Sequence, residues 1–358
     1  MPETLVIRAD GDSQIGTGHV MRCLSLAAGW QSAGGDVVLA IARSSAALLA
    51  RIAVADVPIV HLDVVPGSLA DARQLLDLAN SSAAAWIVAD GYQFDAAYQR
   101  TIMSSGRRLL LIDDYGHADH YCADFVLNQN LSAREGLYEN RAAHTRLLLG
   151  TRYVLLRRQF LEFGNRQRET SAIARRVLVT LGGADPDNAT GKVTKALNDL
   201  DVEVKIVVGG SNPNKQNLEA EIRNPISASP PRVDGVRSRA SLSLSVDTDD
   251  MPALMAWADV AIAASGTTSW ELAFMGTPSL VVVLADNQEE VAHFLHLGGV
   301  SISLGRIEDL STAEIGGALH GLLADGAQRA AMSQRGQQLV DGRGVARVVV
   351  CLLAATVI

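Results

Sequence analysis

Residues 8–27 read RADGDSQIGTGHVMRCLSLA. The apolar run Leu5-Val6-Ile7 leads into this stretch, and a helical pattern over residues 20–32 leads out of it. Between them stand Gly11, Gly16 and Gly18, two aspartates and His19. A strand that passes through a glycine-rich turn into a helix is the first half of a βαβ unit. It is also an anion site in waiting, because glycine lets the backbone come close and the helix start offers unsatisfied N–H groups. The question it poses is why His19 stands in the first turn, with Arg8 and Arg22 on either side.

The same alternation continues outward. Short apolar runs fall at residues 5–8, 37–41, 59–62, 86–89, 109–112 and 125–127, with helical patterns such as 20–32 and 69–79 between them. Runs of this length suit strands buried on both faces. The segment 152–171 is rich in charge and reads as a connection. The alternation then restarts with runs at 177–181, 204–208, 241–246, 260–263 and 280–284, and 251–257 reads as a short helix capped by Asp249 or Asp250. Residues 343–355 read as a closing helix, and 224–240, NPISASPPRVDGVRSRA, as a turn-rich insertion. The expected architecture is α/β, two doubly wound Rossmann-like domains with a cleft between them. Residues 1–150 would form the first, 151–174 the connection, 175–340 the second, and 341–358 a C-terminal helix.

Composition narrows the function classes. The 358 residues are 48 % hydrophobic and 20 % charged, as expected for two globular cores. A formal net charge of −8 argues against a nucleic-acid groove. Cys23, Cys122 and Cys351 form no CxxC pair or disulfide framework, which fits a reducing cytoplasm. The chain enters a strand at once, so no signal peptide is expected, and no apolar run suits a membrane span. The sparse aromatics, 4 %, offer no interface stripe, so a monomer is expected.

The strand ends carry the candidate chemistry. Ser265-Gly266-Thr267-Thr268 follows the run at 260 and starts a helix, a second phosphate-type turn. Glu271 lies three residues past Thr268, so the pair reads either as a capping box or as a ribose acid beside a diphosphate turn. The chain lacks GxGxxG and GKT or GKS, and the second apolar run closes on Arg43 instead of an acid, which weakens an NAD reading. His19 reads either as a helix-start residue or as a general base; the helix dipole and Arg22 both disfavour its imidazolium. His117 and His120 with Asp113, Asp114 and Asp119 match no recurrent zinc spacing and read as a polar turn. At least one of Asp113 and Asp114 should face the cleft, and Tyr92, Asn287 and Gln288 also stand at strand ends.

Taken in order, RADGDSQIGTGHVMRCLSLA, LLIDDYGHADHYCADFVLNQNL, YVLLRRQF, VLVTLGGADPDNAT and AIAASGTTSWELAFMGTPSLVVVLADNQ resemble the UDP-2,4-diacetamido-2,4,6-trideoxy-β-L-altropyranose hydrolases of pseudaminic acid biosynthesis. The resemblance covers about residues 4–300, and the joint occurrence is far more specific than any single piece. It implies a GT-B-like fold. It implies a catalytic His19 that activates water, with Tyr92 and Asn287 on the sugar side. Arg8, Asp10, Gly16 and Gly18 belong to the loop that carries His19. Gly182 and Gly183 match a glycine turn near the nucleotide, Ser265, Gly266, Thr267 and Thr268 a pyrophosphate turn, Glu271 a ribose acid, and Gln288 neighbours Asn287. Gly91, just before Tyr92, and the stretch 224–240 depart from the pattern. The implied reaction is metal-independent, cofactor-free and inverting, releasing UDP and free sugar for a cell-surface glycan such as that of flagellin. A GT-B transferase that passes the sugar to an acceptor other than water is the alternative.

Overall fold

The computed structural model describes residues 3–12, 14–164, 168–223 and 240–356. The stretch 224–239, most of the expected insertion, lies outside them. The chain divides into two compact units, Met1–Glu162 with Asp341–Ile358, and Phe163–Val340.

The first unit is built on a seven-stranded, wholly parallel sheet. Its strands are β1 (Thr4–Ala9), β2 (Val37–Ile41), β3 (Ile59–His61), β4 (Ala84–Asp90), β5 (Arg108–Ile112), β6 (Phe125–Asn128) and β7 (Arg146–Leu149). Their order is β3-β2-β1-β4-β5-β6-β7. The order therefore reverses between β1 and β4, which pair in register from Leu5↔Trp86 to Ala9↔Asp90. Strands buried on both faces explain the unbroken apolar runs: Leu5, Val6 and Ile7 are all buried, but Leu5 and Ile7 face one core and Val6 the other.

The C-terminal helix, Gly344–Thr356, belongs to this first unit. Val348, Val349 and Leu352 join Trp30, Val88 and Leu26 in one apolar core. Gly29 makes the helix crossing possible: a Cβ there would lie 2.2 Å from Val345 Cγ1. Trp86 Nε1 donates to Thr356 Oγ1 at 3.0 Å, tying the last turn to β4.

The second unit carries a six-stranded parallel sheet of β8 (Arg176–Thr180), β9 (Glu203–Val208), β10 (Ser241–Val246), β11 (Val260–Ala264), β12 (Ser279–Val283) and β13 (Ser301–Arg306). The order is β10-β9-β8-β11-β12-β13, with its reversal between β8 and β11. Ser241–Val246, SLSLSV, is an edge strand whose residues are all half-buried or exposed, which is why it alternates where central strands do not. Among the described residues no helix is long and apolar enough to cross a membrane.

Candidate active site

In doubly wound sheets, ligands gather where the strand order reverses, beyond the carboxyl ends of the strands. In the first unit that point is the end of β1 and β4, and His19 and Asp90 both stand there. The turn after β1 is tightly self-braced. Asp12 Oδ1 accepts from the backbone N–H of Gln14 and Ile15, both at 2.8 Å, and Gly16 N–H returns to Asp12 O. Gly16 has φ +80°, a left-handed conformation glycine adopts without strain, and open space where a side chain would be. Gly18 then opens the helix Gly18–Ser32, whose N-cap Thr17 makes no side-chain capping bond.

His19 stands in the first turn of that helix, its side chain 12 % exposed, with Nδ1 2.7 Å from Asp90 Oδ1. Burial works against charge on Asp90, yet Arg22 and His19 hold its carboxyl well below the usual carboxylate range. An ionised carboxylate only accepts, so the shorter contact, 2.7 Å to Asp90, requires the hydrogen on Nδ1; Arg22 Nη2, a donor only, lies 3.2 Å from the same nitrogen and makes no hydrogen bond to it in that tautomer. When the ring is neutral, the lone pair is then on Nε2. Arg22, one turn on, fills the space beneath. Its Nε and Nη2 donate to the two oxygens of Asp90 at 2.7 and 2.6 Å, and its Nη1 and Nη2 donate to those of Asp114 at 2.7 and 3.0 Å. Burial opposes the guanidinium charge, but Asp114 and Asp90 outweigh it and raise Arg22 well above its ordinary value. Arg22, expected as a positive charge one turn from His19, is thus a cation shared between two carboxylates.

Tyr92 follows Asp90 by two residues, and its hydroxyl donates to Asp114 Oδ2 at 2.9 Å. Its ring meets the imidazole edge-on, with centroids 5.1 Å apart. Of the Asp113-Asp114 pair, only Asp114 joins this network. Asp113 is fully buried and turns back to accept from the N–H groups of Tyr115 and Gly116 and from the Tyr121 hydroxyl. His117 Nδ1 lies 3.1 Å from Asp113 Oδ2, so this histidine serves the loop. Among the described residues no group of three or more His, Cys, Asp or Glu is placed to hold a metal ion.

Arg8 and Asp10 carry the loop from below. Arg8 is fully buried, bonded to both oxygens of Asp71 and 2.7 Å from Asp10 Oδ1. Asp10 Oδ1 also accepts from the N–H groups of Ala42 and Arg43. The guanidinium is committed to protein carboxylates, so Arg8 acts as an internal strut of the His19 loop; it does not present itself to a ligand.

In the second unit the reversal point brings together the turns after β8 and β11, strands in register from Val260↔Val177 to Ala263↔Thr180. Gly182 has φ +99° and open space beside it. Gly183 is pressed by the next loop: a Cβ on Gly209 would lie 2.3 Å from Gly183 O. After β11 comes the helix Thr268–Met275, whose N-cap is Thr267, one residue before the Thr268 of the expected capping box, and the Thr267 side chain makes no capping bond. A Cβ on Gly266 would meet no atom within 4 Å, and Gly266, Thr267 and Thr268 are half-buried. Ser265 differs: it is buried, and its hydroxyl donates to Val282 O and Gln288 O. Gln288 Oε1 in turn accepts from Leu284 N–H at 3.0 Å. These two hold the turn's shape, while Asn287 is exposed on the short turn Asp286–Gln288.

Asp90 is the site residue that the sequence pattern did not single out. The apolar run ends at Ala89, and an acid at a strand end beside the switch point was the available signal.

No known protein-family profile matches the chain. It is 23 % identical over 302 residues to the UDP-2,4-diacetamido-2,4,6-trideoxy-β-L-altropyranose hydrolase of Campylobacter jejuni, covering 83 % of this chain and 98 % of that protein. It is 26 % identical over 213 residues to the spore coat polysaccharide biosynthesis protein SpsG of Bacillus subtilis, covering 58 % of each. An uncharacterized protein of Methanocaldococcus jannaschii is 23 % identical over 290 residues, 79 % of this chain. The alignments span 56 % of the Methanocaldococcus protein's length and 58 % of that of SpsG. Among solved structures, Acinetobacter baumannii MurG aligns over 99 % of this chain and 100 % of its own, with TM-score 0.64 and 14 % identity. Anabaena Alr3699/HepE, solved in complex with UDP-glucose, aligns over 99 % and 100 % with TM-score 0.61 and 15 % identity. Two parallel α/β sheets and these whole-chain alignments establish that the chain has the GT-B fold.

Proposed function

We propose that the chain hydrolyses a UDP-linked diacetamido-trideoxy sugar to UDP and free sugar, with inversion at the anomeric carbon. The observation that carries this reading is the His19–Asp90 contact at 2.7 Å. Asp90 fixes the ring and its tautomer, leaving Nε2 to take a proton from water as that water attacks the sugar. The imidazolium that forms is stabilised by the same carboxylate. Binding a nucleotide alone needs no such base, which weighs against a purely ligand-holding role.

UDP is a good leaving group, so no second carboxylate is required as general acid. The turn at Gly266–Thr268 and the start of its helix would stabilise the charge growing on the diphosphate. Glu271 on that helix would take the ribose hydroxyls, and Gly182 and Gly183 would admit the nucleotide close to the backbone. Tyr92 and Asn287 would contact the sugar. The similarity to the Campylobacter hydrolase over nearly that protein's whole length supports the same reading.

The test is phosphorus and proton NMR of the purified protein with a UDP-linked 2,4-diacetamido-2,4,6-trideoxy sugar in excess EDTA. Release of UDP together with free sugar of inverted anomeric configuration is expected. Binding of an intact sugar nucleotide without release would contradict hydrolysis and move the assignment to transfer onto another acceptor.

A further inference from the structure

We propose that Tyr115 is a specificity-determining residue of this site, which reads the apolar side of the bound sugar; the inference rests on the assignment of His19 as the base that acts on a sugar nucleotide. Tyr115 is the outer member of a run of rings that begins at His19. Tyr92 meets His19 at 5.1 Å, and Tyr115 meets Tyr92 at 5.0 Å with a tilt of 54°. The two inner rings belong to half-buried residues, whereas Tyr115 is 40 % exposed, a large aromatic left open beside a polar, charge-balanced centre.

The placement is enforced from below. Asp113 gathers the N–H groups of Tyr115 and Gly116 on one oxygen at 2.7 and 2.8 Å, which turns the chain sharply after β5 and raises Tyr115 out of the sheet end. His117 backs both rings, with centroids 5.8 Å from Tyr92 and 6.1 Å from Tyr115. Burial and the nearby Asp113 and Asp114 hold the phenol above its ordinary value, so the residue stays neutral across the working pH range. A neutral, braced, outward aromatic ring offers an apolar face, and the group that suits it is the C–H side of a sugar or a methyl substituent. The chemical class selected is thus a sugar carrying a 6-methyl or acetamido methyl groups, in preference to one bearing hydroxyls at those positions.

The test uses binding, so that it stands apart from turnover. UDP, UDP-N-acetylglucosamine and a UDP-linked 6-deoxy diacetamido sugar are titrated calorimetrically into His19→Gln, and into the same protein carrying Tyr115→Ala or Tyr115→Phe. Tyr115→Ala is expected to weaken the deoxy-sugar nucleotide by about two- to ten-fold and UDP not at all. It should also narrow the preference for the deoxy sugar over the C6-hydroxylated one, and Tyr115→Phe should restore it. Equal losses for UDP and both sugar nucleotides, or an unchanged preference in Tyr115→Ala, would overturn the inference. Normal discrimination by Tyr115 in a wild-type protein that cleaves nothing would overturn hydrolysis alone. Absence of sugar-nucleotide binding would overturn both.

Discussion

Asp90 is where tautomer control can be separated from simple charge. Asn in its place keeps the shape but offers an N–H to Nδ1, which favours the ring with its hydrogen on Nε2 and removes the base. Asp90→Asn is expected to lower kcat roughly a hundred-fold or more, leaving UDP affinity within about two-fold. Steady-state rates and calorimetry on the same preparation check this, and a rate above half of wild type would show that Asp90 does not set the tautomer. The place of His19 was legible in the sequence, in the first turn of the helix after a glycine loop, where such sheets gather ligands. Its partners were not. Asp90 is 71 positions from His19, and Asp114 is 92 positions from Arg22. Nothing in the local pattern distinguishes Asp114, which joins the network, from its neighbour Asp113, which braces a loop.

The turns of the second unit separate glycines needed for packing from glycines left open for a ligand. Gly209 lies against Gly183 O, so Gly209→Ala must displace backbone and is expected to cost about 1–3 kcal/mol of stability. Gly266 meets nothing, so Gly266→Ala should melt like wild type yet weaken UDP about ten-fold if the turn holds a diphosphate. Thermal melts and UDP titration of the two variants decide it; unchanged UDP affinity in Gly266→Ala would take the diphosphate away from this turn. Most elements were readable because central parallel strands are continuous apolar runs. β7 and β13 escaped: β7 is four residues long with Arg146 exposed, and β13, SISLGR, is an edge strand left half-buried after Ser301. Neither carries the run that marks its neighbours. Residues 152–171 read as a connection, and the division between units falls within them, at Glu162 and Phe163. The C-terminal helix was visible as a helix, but its return to the first unit depends on the Gly29–Val345 approach, which no local period reveals.

Across the molecule, buried ionisable groups set how stability follows pH. Burial disfavours charge on Asp90, Asp113 and Asp114, but Arg22, His117 and their hydrogen bonds lower all three in the folded state. Their contribution is complete above the unfolded carboxylate value near 4 and fades as pH falls from there toward the folded values. His117 runs the other way: burial alone would lower it, but Asp113 raises it. Its contribution is complete below about 6.5 and is lost as pH rises through the folded value. Melts from about pH 3 to 9 should show a steep fall below about pH 4 and a shallower one above about 6.5, the latter absent in His117→Gln. A flat alkaline limb in the wild type would remove His117 from this role. The function proposed for the whole molecule turns on His19, held by Asp90, activating the water that cleaves a sugar nucleotide. The decisive experiment is the turnover of a UDP-linked diacetamido-trideoxy sugar by wild type and His19→Gln, followed by phosphorus NMR, with UDP affinity measured alongside. UDP release by the wild type is expected, with a loss of roughly a hundred- to ten-thousand-fold in the variant and unchanged UDP binding. A variant that keeps more than half the normal rate would contradict the role given to His19.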